Sequence, residues 1–147
     1  MDKVFSGASV LVIDDEAFSI SFVSRLLEGI GIGEIVAAGN GAEALELLNG
    51  RQDGLDLIVC DVKMPEMDGY EFIRRLRFGA APDFKDLPVL VLTGEDSEKN
   101  VQHARILKID GFFVKPPNKT VFENTVRRIL SDRIRAALDS VPKRPGS

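Results

Sequence analysis

Along the chain, short continuous apolar runs alternate with longer stretches in which apolar residues recur every three or four positions. The continuous runs fall at residues 10–13, 35–38, 57–60, 89–92 and 111–114, and most are rich in valine, isoleucine, leucine or phenylalanine. Apolarity that does not alternate with polar residues is what a parallel strand shows when both its faces are covered. The stretches between carry helical spacing. In the first, Phe18, Phe22 and Leu26 repeat every four residues, joined by Val23 and Leu27, and Gly29 and Gly31 end it, as glycine does at helix C-termini. The second begins at Asn40, with Glu43 three residues on to make a capping-box-like pair. It buries Ala44, Leu45 and Leu48 and stops at Asn49-Gly50. The third holds Tyr70, Phe72, Ile73 and Leu76, then breaks into a loop over 78–87, where Gly79 and Pro82 interrupt helix. A fourth runs over 97–108, and a fifth follows Pro116-Pro117 with Val121, Phe122, Val126, Ile129 and Leu130 as its apolar set.

Five strand–helix units in strict alternation predict an α/β fold: a doubly wound five-stranded parallel sheet, order 2-1-3-4-5, with helices on both faces. In such a sheet the ligand site lies at the carboxyl ends of the strands, beside the reversal of order between the first and third. One domain over 8–130 accounts for the pattern, with an N-terminal extension over 1–7 and a C-terminal helical extension and tail over 131–147.

The strand ends are where chemistry gathers. Strand one ends in Asp14-Asp15-Glu16, strand three in Asp61, strand four in Thr93 and strand five in Lys115. Taken singly, each has an ordinary explanation as a cap, a turn or a solvated charge. Together they fall on neighbouring strand ends in the expected order, which coincidence rarely supplies. Close carboxylates such as Asp14, Asp15 and Asp61 either raise a pKa or recruit a cation, and Mg²⁺ suits several carboxylates with a backbone carbonyl and retained waters. Lys115 offers a compact positive charge, first to a carboxylate and then to a phosphoryl oxygen, and Thr93 a further donor. Phosphoryl transfer needs mainly positioning and charge neutralisation.

Composition narrows the classes. The 147 residues are 44% hydrophobic and 29% charged, with net charge −4 and no cluster of basic residues, so direct nucleic-acid binding is not expected. The single cysteine, Cys60, cannot make an internal disulfide, which suits a reducing cytoplasm. No apolar stretch approaches the roughly 20 residues needed to cross a bilayer, and Met1-Asp2-Lys3-Val4-Phe5 has no secretion-type apolar segment. A cytoplasmic location without membrane contact is expected.

The segments Val12-Ile13-Asp14-Asp15-Glu16, Asp61-Val62-Lys63-Met64-Pro65-Glu66-Met67-Asp68-Gly69, Leu92-Thr93-Gly94 and Phe113-Val114-Lys115-Pro116 resemble the receiver domain of bacterial two-component response regulators. The resemblance covers about residues 8–130 and implies the flavodoxin-like sheet order. It implies Asp61 as the acceptor of a phosphoryl group from a histidine kinase or phosphotransfer protein. Mg²⁺ would be held by Asp15, Asp61 and the backbone carbonyl of Lys63, with Asp14 helping through water. Lys115 would contact a phosphoryl oxygen, and the N–H groups of Val62 and Gly94 would donate to others. Thr93 and Phe113 would form the switch, and the Lys115-Pro116 bond would be cis. The family promotes only its own phosphorylation and dephosphorylation, and signals to a downstream protein that the sequence does not name.

Some features depart from the family pattern. The step Ile106-Leu107-Lys108-Ile109-Asp110-Gly111 is bulkier than usual before strand five; it adjoins the helix 4–strand 5–helix 5 face through which the family signals and where a homodimer is one expectation. Lys63 and Glu95 flank the site mouth as a pair that would lengthen the phosphoryl lifetime by hindering water. Val126, Leu130, Ile134, Leu138 and Val141 continue an apolar stripe past the expected domain end, to pair with a second chain, to fold back as cover, or on a helix that frays. His103, the sole histidine, is expected at the surface, Met64 and Met67 to pack in their loop, and Ile20 to be exposed on helix one for kinase docking. Two other functions compete. An aspartate-nucleophile phosphatase requires an Asp-x-Asp at the first strand, which Asp14-Asp15-Glu16 does not supply. A degenerate receiver, binding partners without phosphorylation, sits poorly with intact acids, Thr93 and Lys115.

Overall fold

The computed structural model describes residues 3–94 and 98–140, with backbone only over 98–101. The expectations for Glu95 and for the tail beyond Ser140, Val141 included, therefore fall outside the described residues.

The elements run β1 (Ser9–Ile13), α1 (Ala17–Ile30), β2 (Glu34–Ala38), α2 (Gly41–Gly50), β3 (Leu57–Asp61), α3 (Gly69–Arg77), a 3-10 turn (Pro82–Phe84), β4 (Val89–Thr93), α4 (Glu98–Leu107), β5 (Gly111–Val114) and α5 (Lys119–Asp139). The five strands form one parallel sheet in the order β2-β1-β3-β4-β5, as the alternation predicted. Successive residues of each strand face opposite sides, so the core divides in two. Leu11, Ile13, Ile58, Cys60, Val89 and Val91 meet Leu48, Phe72, Ile73 and Leu107 on the α2–α4 side. Val10, Val12, Leu57, Val59, Leu90 and Leu92 meet Val23, Leu27, Phe122 and Val126 on the α1–α5 side. The unalternating apolarity of β1, β3 and β4 follows from this two-sided burial, whereas the edge strands β2 and β5 are only partly buried.

Local signals set the element ends, with corrections. Gly31, not Gly29, ends α1: it takes φ +98° and its N–H donates to the Glu28 carbonyl, while Ile32 N–H reaches back to Leu27. Only glycine enters that left-handed region freely. Asn40 caps α2 by accepting from Glu43 N–H at 2.8 Å, but the Glu43 carboxylate answers at Gly39 N–H rather than at the cap itself. Several apolar residues of the expected helical repeats are not fully buried: Phe18 is 80% and Val121 54% exposed, and Phe22, Leu45 and Tyr70 are half-buried. Phe18 and Val121 both lie in the first turn of their helix, Val121 beside the fully buried Phe122. The loop over 78–87 contains structure the sequence did not suggest: its 3-10 turn inserts Ala81, Phe84 and Leu87 into the core.

Candidate functional site

Every residue of the site stands at the carboxyl end of the sheet because the strand before it runs inward, apolar, and stops there. Beyond β1, the Asp14 N–H donates to the Ala38 carbonyl at 3.1 Å and its Oδ1 accepts from Glu16 N–H at 3.0 Å, so the residue is tied down at 1% exposure. Asp61 closes β3, pairs with Leu92 of β4, and is 5% exposed. Its Oδ1 accepts from the Val62 N–H at 2.9 Å, which also faces the Leu92 carbonyl at 3.2 Å. Lys115 follows β5; its N–H donates to the Thr93 carbonyl at 2.8 Å, and the Lys115–Pro116 peptide is cis. From there its Nζ reaches Asp14 Oδ2 at 2.9 Å and Asp61 Oδ1 at 3.1 Å. Asp15 is exposed, yet offers an oxygen within 4.8 Å of oxygens of both Asp14 and Asp61.

The start of α3 presses on the back of Asp61. Gly69 N–H donates to the Val62 carbonyl at 2.8 Å, and a Cβ at Gly69 would lie 2.1 Å from the Asp61 carbonyl oxygen. No side chain fits there without separating α3 from β3.

Electrostatics follow from burial and crowding. Burial raises the pKa of Asp61, and the neighbouring Asp14 charge raises it further, against the opposing hydrogen bond and charge of Lys115 and the bond from Val62 N–H. For Lys115, burial acts downward, but the hydrogen bonds and charges of Asp14 and Asp61 together outweigh it and leave the ammonium above its ordinary value. Three carboxylates face one ammonium, so the cluster keeps a net negative charge. An all-oxygen donor set with surplus negative charge fits a hard divalent cation such as Mg²⁺.

The remaining residues are distributed as follows. Thr93 ends β4 and is buried, while Gly94 and Lys63 are exposed at the sheet edge. Phe113 is half-buried, its ring edge-on to Phe122 with centroids 5.3 Å apart. Ile20 is half-buried against the α1–α5 core rather than exposed. His103 is not a plain surface residue either: it is half-buried and its ring lies over Tyr70 at 3.8 Å between centroids. Both results come from neighbouring helices that a linear pattern does not display. An apolar groove of roughly 480 Å³ opens beside Lys115, lined by Phe18, Phe22, Val23, Leu92, Pro116 and Pro117. The helical period puts Phe18 on the repeat of α1 but gives no sign of this groove.

Residues 10–127 match the family model of the response regulator receiver domain. The chain belongs to that family, the signalling receiver domains of two-component systems. It is 32% identical over 117 residues to the CAI-1 autoinducer sensor kinase/phosphatase CqsS of Vibrio cholerae, covering 80% of this chain but spanning only 16% of that protein. With a chemotaxis protein CheY homolog of Campylobacter jejuni it shares 27% identity, over 82% of this chain and 91% of the relative. The structure of the chemotaxis protein CheY4 of Vibrio cholerae superimposes with TM-score 0.73 at 34% identity, over 84% of this chain and 98% of the other. Among the described residues no helix is long and apolar enough to cross a membrane.

Proposed function

We propose that Asp61 is the phosphoacceptor of this receiver and that Mg²⁺ is required for its phosphorylation. The observation that carries this reading is the Lys115 ammonium bridging Asp14 and Asp61 at 2.9 and 3.1 Å, with Asp15 within ligand distance of both acids. An Asp61 carboxylate oxygen attacks the phosphorus of a phosphohistidine on a histidine kinase or phosphotransfer protein. The O–P bond forms as the P–N bond breaks, and the imidazole departs and takes up a proton. Asp15, Asp61 and the Lys63 carbonyl would hold Mg²⁺, with Asp14 assisting; the ion would supply positive charge to neutralise the phosphoryl oxygens. Lys115 transfers its contact from Asp61 to a phosphoryl oxygen, and the N–H groups of Val62 and Gly94 donate to others once the Asp61 oxygen rotates away. Buried Thr93 and half-buried Phe113 are the mobile pair that carries the change toward α4 and β5, and Lys63 lies where it can slow hydrolytic water.

The groove beside Lys115 supports docking of the phosphodonor there, since it is lined by exposed Phe18 together with Lys115, whose ammonium reaches Asp61. Output goes by protein–protein contact. The test is incubation with acetyl phosphate and Mg²⁺ followed by intact mass measurement. One added phosphoryl group is expected on the wild type and none on Asp61→Asn or without Mg²⁺; equal labelling of the variant defeats the assignment. Catalytic turnover of acetyl phosphate without a lasting adduct would instead favour a phosphatase.

A further inference from the structure

The loop between β3 and α3 is not a relaxed chain. Glu66 takes φ +67°, and Met67 N–H donates to the Pro65 carbonyl at 2.7 Å, closing a three-residue turn around it. Such turns with positive central φ are rare and strained in non-glycine residues, and persist only where the surroundings hold them. On the α3 side the loop is pinned by Asp68, whose Oδ1 accepts from Glu71 N–H at 2.8 Å, and by Gly69 on Val62. On the other side the anchor is Met67, half-buried and packed on the α2–α4 core.

The seat for Met67 is made by Gly41, the first residue of α2. A Cβ at Gly41 would lie 2.9 Å from Met67 Sδ, 3.1 Å from its Cγ and 3.0 Å from Phe72 Cβ. Gly41 has no positive φ to explain glycine there, and alanine is the better helix former. Van der Waals contact with Met67 and Phe72 is what keeps the position empty. Methionine is flexible and fills irregular gaps, so it yields to an intruding methyl group by moving, and the strained turn moves with it. The same short loop carries Lys63.

We propose that Met67, seated against Gly41, is a positioning residue for the acceptor site: it wedges the turn at Glu66 between α2 and α3 and thereby fixes the Lys63 carbonyl relative to Asp61. This rests on the reading of Asp61 and Mg²⁺ above. Mg²⁺ demands near-ideal octahedral geometry, so a small displacement of one oxygen ligand is felt in affinity.

The test compares Gly41→Ala, Met67→Ala, the double variant and Met67→Leu, with Val126→Ala on the far side of the sheet as a control for lost stability. Amide hydrogen exchange over residues 62–67 and the Mg²⁺ dissociation constant are read for each. Gly41→Ala and Met67→Ala should each speed loop exchange and weaken Mg²⁺ roughly tenfold, the lower end for changes behind a metal ligand. Shortening Met67 makes room for the new methyl group, so the double variant should fall well short of the product of the two single effects. Met67→Leu should stay near wild type, and Val126→Ala should melt lower with both readouts unchanged. Unchanged loop exchange and affinity in Gly41→Ala, or strictly multiplicative effects in the double variant, overturns the proposal. A wild type that binds no Mg²⁺ overturns the reading of the site and this role with it; a wild type that binds, matched by Gly41→Ala, sinks only the seat. Should Gly41→Ala fail to fold, Met67→Ala against Met67→Leu decides by the same two readouts.

Discussion

Burial lifts the pKa of the Asp61 carboxyl and the charge of Asp14 adds to the lift, so the folded chain binds this proton more tightly than the unfolded chain does. Stability then falls as pH rises from the ordinary carboxylate pKa through the raised one, and the penalty remains in full above it. Asp61→Asn removes that charge while keeping an acceptor for Lys115. The variant is expected to melt higher than wild type at pH 7 without Mg²⁺, and the gain should vanish below the ordinary carboxylate range. A melting series across pH in both proteins checks the sign; a variant that melts lower at pH 7 contradicts it. Mg²⁺ should raise the wild-type midpoint, by about 2.7 kcal/mol of stability at 100 times the dissociation constant, and raise Asp61→Asn much less. Neighbouring Cys60 shares the environment: burial pushes its thiol up, and the Asp61 and Asp14 charges push it further. It stays a neutral, apolar packing group.

Between elements, the least legible contact is Arg77 at the end of α3. Its guanidinium donates to four backbone carbonyls, those of Leu107 at 2.9 Å, Lys108 at 3.1 Å, Lys85 at 2.8 Å and Leu87 at 2.7 Å. Burial pulls its pKa below the usual value, against the opposing charges of Asp110 and Asp86. The clamp joins α3, the segment before β4 and the C-terminal end of α4, and Asp110 ties the same corner by accepting from Val89 N–H at 2.8 Å. Here the bulky step before strand five finds its structural form: Lys108 takes φ +54° and Ile109 N–H donates back to Ala104. Arg77→Ala strands several carbonyls and is expected to cost about 2–4 kcal/mol in denaturant unfolding. Arg77→Lys should recover only part, since a compact ammonium cannot span four acceptors. Lys108→Gly is expected to gain up to about 1 kcal/mol, because the left-handed backbone penalises a Cβ. A loss of stability in Lys108→Gly would show that its side chain matters more than its backbone.

Across the molecule, the packed core ends with Leu130, 2% exposed, although α5 continues to Asp139. The first turn beyond is still docked: Arg133 donates to the Leu55 carbonyl at 3.4 Å and lies 3.7 Å from Asp56. After it Ile134 is 42% and Leu138 68% exposed. The extension is thus held by its first turn and leaves its apolar stripe uncovered by the described residues. Leu130→Ala should cost about 2–5 kcal/mol, whereas Leu138→Ser should stay within about 0.5 kcal/mol in dilute solution. A larger loss for Leu138→Ser that grows with protein concentration would reveal self-association through this helix.

Strand positions, their order, the ends at which Asp14, Asp61, Thr93 and Lys115 stand, and the family itself were legible in the chain, because two-sided burial writes continuous apolar runs and topology then dictates where they stop. Helix faces were legible less well. Phe18 and Val121 fit the helical period, yet periodicity says which side a residue shares and not whether another element covers it. Ile20, His103 and Tyr70 were placed by neighbours distant in sequence. Tertiary structure alone decided the exposed groove at Phe18, the Arg77 clamp and the fit of Met67 against Gly41, since each is a contact between elements whose local sequences give no sign of one another. The same holds for the 2.9 and 3.1 Å reach of the Lys115 ammonium to Asp14 and Asp61. A sequence can bring charges to one edge of a sheet, but only packing fixes the distances at which they attract, repel and shift one another's protons.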